Sequence, residues 1–235
     1  MTPELSAIVL CYKAGASIER VIGPLYELLE QEGLAFELVL VANYWPHQTD
    51  TTPGIVTGFA QAHPRTVVVA GEKRGAMGWD MRSGLAAANG ELLVVIDGDS
   101  QNPVADVLRL YRLMRETNAD VGKGRRTTRH DGFYRRGISI GYNVIFRLLF
   151  GRSGVWDING KPKGLTRAAY DKIRIRSDDW FADAEIVLEA QRLGLQIVEL
   201  PVVFNRNDDR ASFVRLGAIW EFVVHMTRYR LRGAP

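Results

Sequence analysis

The sequence predicts an α/β protein in a single domain, with a mostly parallel central sheet covered by helices on both faces. Apolar runs of strand length alternate with stretches of helical pattern through the first half of the chain, the order that builds a parallel sheet. The strand runs are nearly continuously apolar, as in strands buried on both faces. A chain of 235 residues, 46% hydrophobic and 24% charged, has the size and composition of a soluble domain with a full core.

In chain order, a strand is expected over 6–12, followed by a small-residue loop and a helix from about 18 to 32. A second strand over 36–41 leads through turn residues 43–53 to a helix over 54–62. A third strand over 66–70 runs into the glycine-rich stretch 71–78 and then a helix over 79–89 that ends at Gly90. The fourth strand, 91–96, stops at Asp97. Beyond it the pattern gives a helix over 104–117, a strand over 120–123, a basic loop and an apolar helix with arginines near 137–150. Short strands past Trp156, a helix over 183–193, a strand over 196–204 and an amphipathic tail complete the chain. No repeat, low-complexity tract or long linker divides it. We therefore treat 1–235 as one domain, with a first half over about 5–120, a second over about 121–213, and the tail 214–235.

The formal net charge is only +3, which gives no case for a nucleic-acid partner. The charge is uneven, however. Lys123, Arg125, Arg126, Arg129, Arg135 and Arg136 face one nearby acid, Asp131, and the tail adds Arg228, Arg230 and Arg232. Such clusters suit phosphate oxygens or an anionic membrane surface, or simply form a solvated face. The single cysteine, Cys11, excludes an internal disulfide framework and disfavours a thiolate zinc site. With no signal-peptide pattern after Met1 and no uncharged apolar run of about 18 residues, the expected location is cytoplasmic, with peripheral contact at the cytoplasmic membrane face as an option.

Chemistry is expected where the fourth strand ends at Asp97-Gly98-Asp99, because ligands of open α/β sheets sit beyond the carboxyl ends of strands. Two carboxylates this close repel unless a cation lies between them, and their oxygens suit Mg²⁺ or Mn²⁺. Gln101 offers a further neutral oxygen. Asp and Gly also favour turns for reasons unrelated to function. The stretch Glu72-Lys73-Arg74-Gly75-Ala76-Met77-Gly78 matches neither the dinucleotide nor the NTPase phosphate-loop pattern, yet it would present backbone N–H groups and two cations to an anion. A second acidic cluster, Asp183, Glu185 and Glu189, opens a helix, where acids also serve as caps. Trp180 and Phe181 would give it an apolar wall that raises a carboxylate pKa and readies it to accept a proton.

Together these segments resemble the family 2 glycosyltransferases, inverting enzymes of the Rossmann-like GT-A fold, and within them the dolichol-phosphate mannose synthase-like branch. The resemblance runs from about residue 5 to 213. Residues 72–78 look like the family's Asn-x-Gly-Lys-Gly segment. Asp97-Gly98-Asp99-Ser100-Gln101-Asn102-Pro103 is similar to Asp-Ala-Asp-Leu-Gln-His-Pro, and 120–126 resembles Asp-x-Val-x-Gly-Ser-Arg. Residues 157–167 and 181–190 resemble the segments around the family's acceptor site. Tyr12 alone is kept from the family's first-strand motif, and Asn43 stands where its second strand has an acid, with Asp50 further on. GDP and UDP both stay open as the nucleotide.

The resemblance implies a donor site of Tyr12, Asn43, Lys73, Arg74, Gly75, Gly78, Asp97 and Gly98, and a Mg²⁺ or Mn²⁺ ion on Asp97, Asp99 and Gln101. It implies Asp183 and Glu185 as catalytic acids, Arg126, Arg135 and Arg136 as acceptor-phosphate ligands, and a small antiparallel element on the acceptor side. The implied activity moves a sugar from a nucleoside-diphosphate sugar to a polyprenyl phosphate, dolichyl or undecaprenyl. Transfer to a hydroxyl of a soluble saccharide or small molecule and a non-catalytic nucleotide-sugar-binding module are the alternatives. The amphipathic stretches 138–150 and 213–231 favour a lipid acceptor and membrane contact, although core packing with outlying arginines explains them too. Many relatives in this branch carry membrane helices after the catalytic domain, so the end of this chain fits a peripheral enzyme, a soluble acceptor or a missing anchor.

Overall fold

Four apolar runs frame the molecule. β1 (Leu5–Leu10), β2 (Phe36–Val41), β3 (Thr66–Val69) and β4 (Leu92–Asp97) are parallel to one another, in the order β3-β2-β1-β4. All six residues of β1 and of β2 are buried, because both faces are covered. The computed structural model describes residues 2–129, 141, 144–147, 150, 154–205, 224, 226, 227 and 229.

Alternate strand residues feed different cores. Leu5, Ala7 and Val9 pack with α1 (Glu19–Gln31), α2 (Thr52–Ala62) and α4 (Ala105–Thr117). Ile8 and Leu10 pack on the opposite face, under α3 (Met77–Ala87), α5 (Arg167–Lys172) and α6 (Ala182–Arg192). In α1 the buried positions Val21, Ile22, Leu25, Tyr26 and Leu29 make one helical stripe. α4 stops at Asn118, which adopts φ 52°, a left-handed conformation that asparagine tolerates. Thr166 caps α5, its hydroxyl accepting from Ala169 N at 3.1 Å.

The sheet continues past β4 in the order β6-β5-β7. β6 (Lys163–Thr166) is antiparallel to both β4 and β5, and it is the antiparallel element expected on this side. β5 (Val121–Arg129) outruns its expected end at 123, so residues 124–129 form strand rather than basic loop. The cause is β7 (Ile197–Phe204), whose backbone pairs in parallel with β5 as far as Arg129, with a register shift between Arg126 and Thr128.

A third cluster joins Phe181, Ala184, Val187 and Leu188 to Phe146, Val155, Ile158 and Met226. The described residues of the two expected amphipathic stretches, 141, 144–147 and 150 in one and 224, 226, 227 and 229 in the other, are helical. Phe146 and Met226 turn into this core, whereas Val144 is exposed. Arg135 and Arg136, the tail arginines 228, 230 and 232, and most of 213–231 lie outside the described residues. Among the described residues no helix is long and apolar enough to cross a membrane.

Candidate active site

Leu10 and Asp97 are register partners at the carboxyl ends of β1 and β4. Since β1 is followed outward by β2 and β4 lies on its other side, this is the sheet's topological switch point, where open α/β sheets bind ligands. Asp97 and Asp99 are both half-buried there. Gly98 between them donates to Leu10 O at 2.9 Å, and a Cβ at this position would come within 2.6 Å of Ile18 Cδ1. Only glycine lets the turn approach β1 this closely.

Three other elements fix the turn. Asp99 Oδ1 accepts from Gln101 N at 3.1 Å, and Gln101 Nε2 donates to Asn205 O at 3.0 Å, beyond the end of β7. Asn102 Nδ2 donates to Lys161 O at 3.0 Å, ahead of β6. Among the described residues no third Asp, Glu, His or Cys joins the pair to make a closed metal cage. Two neighbouring carboxylates fit a hard cation such as Mg²⁺ or Mn²⁺, a class of ion that completes its shell with phosphate oxygens and water. Gln101 uses its amide nitrogen as a tether, so only its Oε1 has the chemistry of a cation ligand.

Beyond β1, β2 and β3 lie Tyr12, Asn43 and Lys73, and Asn43 and Lys73 meet at a further residue, Asp80 in α3. Lys73 is ion-paired to Asp80, and Asn43 Nδ2 donates to the same carboxylate at 3.0 Å. Gly71 N donates to Asn43 Oδ1 at 2.9 Å. Lys73 Nζ lies 4.3 Å from the centre of the Tyr12 ring, whose hydroxyl meets Gln48 Oε1 at 3.2 Å. Burial lowers the Lys73 pKa against the pull of Asp80, and it raises that of Asp80 against Lys73. Asp50 braces the chain at this end, accepting from Thr52 N and Lys13 N.

The glycine-rich stretch departs from expectation. Its amides do not face an open anion site: Ala76 N and Trp79 N donate to Asp178 O at 2.7 and 3.1 Å, and Gly78 N donates to Asp179 O at 3.1 Å. Gly75 and Gly78 serve this contact, since a Cβ on either would lie 2.5 Å from a carbonyl oxygen of 177–179. The physical reason is that the helix N-terminus needs acceptors, and the loop before α6 supplies them. Arg74 is exposed, with its guanidinium 5.8 Å from the Trp79 ring centre.

On the second half of the sheet, charge is buried and paired. Asp183 is held by Lys161 at 2.9 Å and Lys163 at 2.6 Å. Burial pushes its carboxyl up, but the two ammonium groups outweigh burial and leave its pKa below the usual range. The expected apolar activation of this acid is therefore corrected to a lysine clasp. Lys163, wholly buried, falls to about 7 by desolvation, which Asp183 offsets only in part. Glu185 Oε2 accepts from Arg176 N and Ser177 N at 3.0 and 2.9 Å. Arg126 makes a two-pronged bond to Asp157, with Nε and NH2 both at 2.7 Å, so a phosphate there would have to compete with a carboxylate. Buried Lys123 bonds Asp157 O and Glu199. Lys123, Lys161, Lys163, Asp157 and Glu199 were not anticipated as a network. The one sequence signal was lysine inside strand-forming segments, at 123 and 163.

Comparison with known proteins agrees with this geometry. The model of Glycosyl transferase family 2 matches residues 6–182. The chain belongs to that family. Among relatives of this family 2 chain, glycosyltransferase AglD of Haloferax volcanii is 28% identical over 221 residues, covering 90% of this chain and 35% of AglD. Dolichyl-phosphate beta-glucosyltransferase ALG5A of Trichomonas vaginalis is 25% identical over 218 residues, covering 87% of this chain and 66% of that protein. The chain thus spans about a third of the first relative's length and 66% of the second's. Its fold is shared with glucosyl-3-phosphoglycerate synthase of Mycobacterium tuberculosis in complex with Mn²⁺, UDP and phosphoglyceric acid, at a TM-score of 0.75 and 20% identity over 99% of this chain and 80% of that one. The family 2 fold is GT-A.

Proposed function

We propose that this protein is a metal-assisted, inverting glycosyltransferase that moves a sugar from a nucleoside-diphosphate sugar to a polyprenyl phosphate. The observation that carries the reading is the half-buried Asp97–Asp99 pair at the switch point of a family 2 sheet. The names of AglD and of the dolichyl-phosphate glucosyltransferase support it, as do the UDP and Mn²⁺ of the structural neighbour.

In this reading Asp97 and Asp99, with Gln101 beside them, would hold Mg²⁺ or Mn²⁺, and an ion there would supply positive charge to offset that on the leaving diphosphate. Tyr12, Lys73 and the Asn43–Asp80 pair that steadies Lys73 would form the floor for the nucleoside, with Arg74 and Gly75 next to Lys73 in sequence. The acceptor oxygen attacks the anomeric carbon from the side opposite the diphosphate, which inverts the configuration. A phosphate acceptor is already anionic at neutral pH and needs no base. That suits Asp183, whose lysine clasp makes it a poor proton acceptor. Arg126, together with Arg135 and Arg136, would bind the acceptor phosphate, and an incoming phosphate dianion competes with Asp157 for the Arg126 fork. The basic segment and the exposed Val144 suit peripheral contact with an anionic cytoplasmic membrane face.

The test is transfer itself. Purified protein with Mn²⁺ is offered UDP-glucose and GDP-mannose, with dolichyl phosphate, undecaprenyl phosphate or free monosaccharides as acceptors. Metal-dependent glycosylation of a polyprenyl phosphate is expected. Transfer to free sugar hydroxyls alone would overturn the acceptor assignment, and the absence of both transfer and nucleotide binding would overturn the enzymatic one.

A further inference from the structure

Glu185 is buried in the first turns of α6, yet its carboxylate turns back along the chain instead of toward the crevice. Oε2 accepts from the backbone N–H of Arg176 and of Ser177, nine and eight residues earlier. Fixing those two amides orients the carbonyl groups that follow. Arg176 O accepts from Arg82 NH1 at 3.1 Å, Asp178 O from Ala76 N and Trp79 N, and Asp179 O from Gly78 N. The Asp178 carboxylate is ion-paired to Arg82 as well. A continuous set of hydrogen bonds therefore runs from α6 through residues 176–179 to the start of α3. The stretch it grips also carries Lys73, which faces Tyr12 and lies three to six residues before those amides.

We infer that Glu185 is a positioning residue, which holds the donor-side loop 73–79 in place through the backbone of residues 176–179. The links from residues 176–179 to the start of α3 join segments about a hundred residues apart in sequence, so the second half of the molecule helps to fix the loop. The role needs an acceptor oxygen and no titrating proton. A carboxamide supplies that oxygen too, which separates positioning from proton transfer. The consequence for donor binding rests on the nucleotide-sugar reading above; the brace itself does not.

The experiment uses the full chain and three variants, Glu185→Ala, Glu185→Gln and Arg82→Ala. Hydrogen exchange reads the amides of 76, 78 and 79, and calorimetry with UDP and with GDP, each with Mn²⁺, reads nucleotide affinity. Transfer kinetics then separate KM from kcat. In Glu185→Ala, exchange protection at the three amides and nucleotide affinity each fall about tenfold, as loss of hydrogen bonds to a charged group implies. The donor KM rises correspondingly, with a smaller change in kcat. Glu185→Gln restores all these readings to within about threefold of wild type. Arg82→Ala, at a more exposed position, loses protection about threefold and keeps the test decisive if Glu185→Ala does not fold. Unchanged protection in the alanine variants overturns the brace. A Glu185→Gln variant with wild-type protection and nucleotide affinity but little kcat overturns the assignment of Glu185 as a positioning residue and gives it to proton transfer. Should the wild-type chain bind neither nucleotide, the donor reading fails while the exchange data still decide the brace.

Discussion

The two halves of the sheet handle charge in opposite ways. In β1, β2 and β4 the interior is apolar, apart from a buried Ser6–Glu37 hydrogen bond, and the acids Asp97 and Asp99 come only where the strand ends. In β5, β6 and β7 charged residues stand within the strands: Lys123, Lys163 and Glu199, answered by Asp157 and Asp183 from neighbouring segments. At the end of β4 the first half leaves Asp97 and Asp99 half-buried. The second has committed its ions to holding the fold, because a buried charge without its partner costs several kcal/mol.

The sharpest way to break this contrast is to remove one acid from each half. Asp99→Ala is expected to lower transfer by about 10³-fold, the scale of losing a principal electrostatic contact to the leaving group. Its melting temperature should fall less than that of a variant lacking a fully buried ion pair, since Asp99 is only half-buried. Turnover assays beside thermal melts check both parts, and undiminished turnover would remove the metal role. Asp183→Ala should do the reverse and lose about 3 kcal/mol or more of stability, since Lys161 and Lys163 are left buried without their carboxylate. Chemical denaturation measures this, and a loss below about 1 kcal/mol would mean the clasp is not structural.

A subtler effect concerns Lys163, whose pKa of about 7 in the folded protein lies below its ordinary 10.5. Between those values the unfolded chain binds a proton that the folded one releases, so this group makes stability rise with pH from about 7 upward, and its penalty is complete below. The stability of wild type relative to Lys163→Met should therefore improve between pH 7 and 9, as read by melting both proteins across that range. A difference independent of pH would contradict it. The smallest effect belongs to a surface pair, Arg115 and Glu91, 3.7 Å apart with both side chains more than half exposed. Arg115→Ala should change stability by less than about 0.5 kcal/mol by the same denaturation measurement.

The same contrast explains what could be read from residue order alone. The strands of the first half and the helices over them were legible because their apolar spacing is unbroken, and Asp97 and Asp99 because they interrupt an apolar run at its end. In the second half, β5 was cut short at 123, since Arg125, Arg126 and Arg129 look like loop until β7 is beside them. Asp183 was visible as an acid, but its partners Lys161 and Lys163 lie some twenty residues earlier, and no periodic pattern links them. The amides of Ala76 and Gly78 read as available to an anion because their acceptors, Asp178 and Asp179, come a hundred residues later. Contacts within one element leave a local pattern, whereas contacts between distant segments do not.

The strands at the two ends of the sheet carry a consequence for solubility. β3 has only four residues, and at the other end β7 carries Pro201, whose carbonyl oxygen is covered by Arg109 NH2 of α4 at 3.2 Å. A short strand on one side and a proline with a guarded carbonyl on the other give an incoming backbone little to zip onto. Among the described residues, then, a sheet with such apolar interior strands has blunted margins that discourage self-association into fibres.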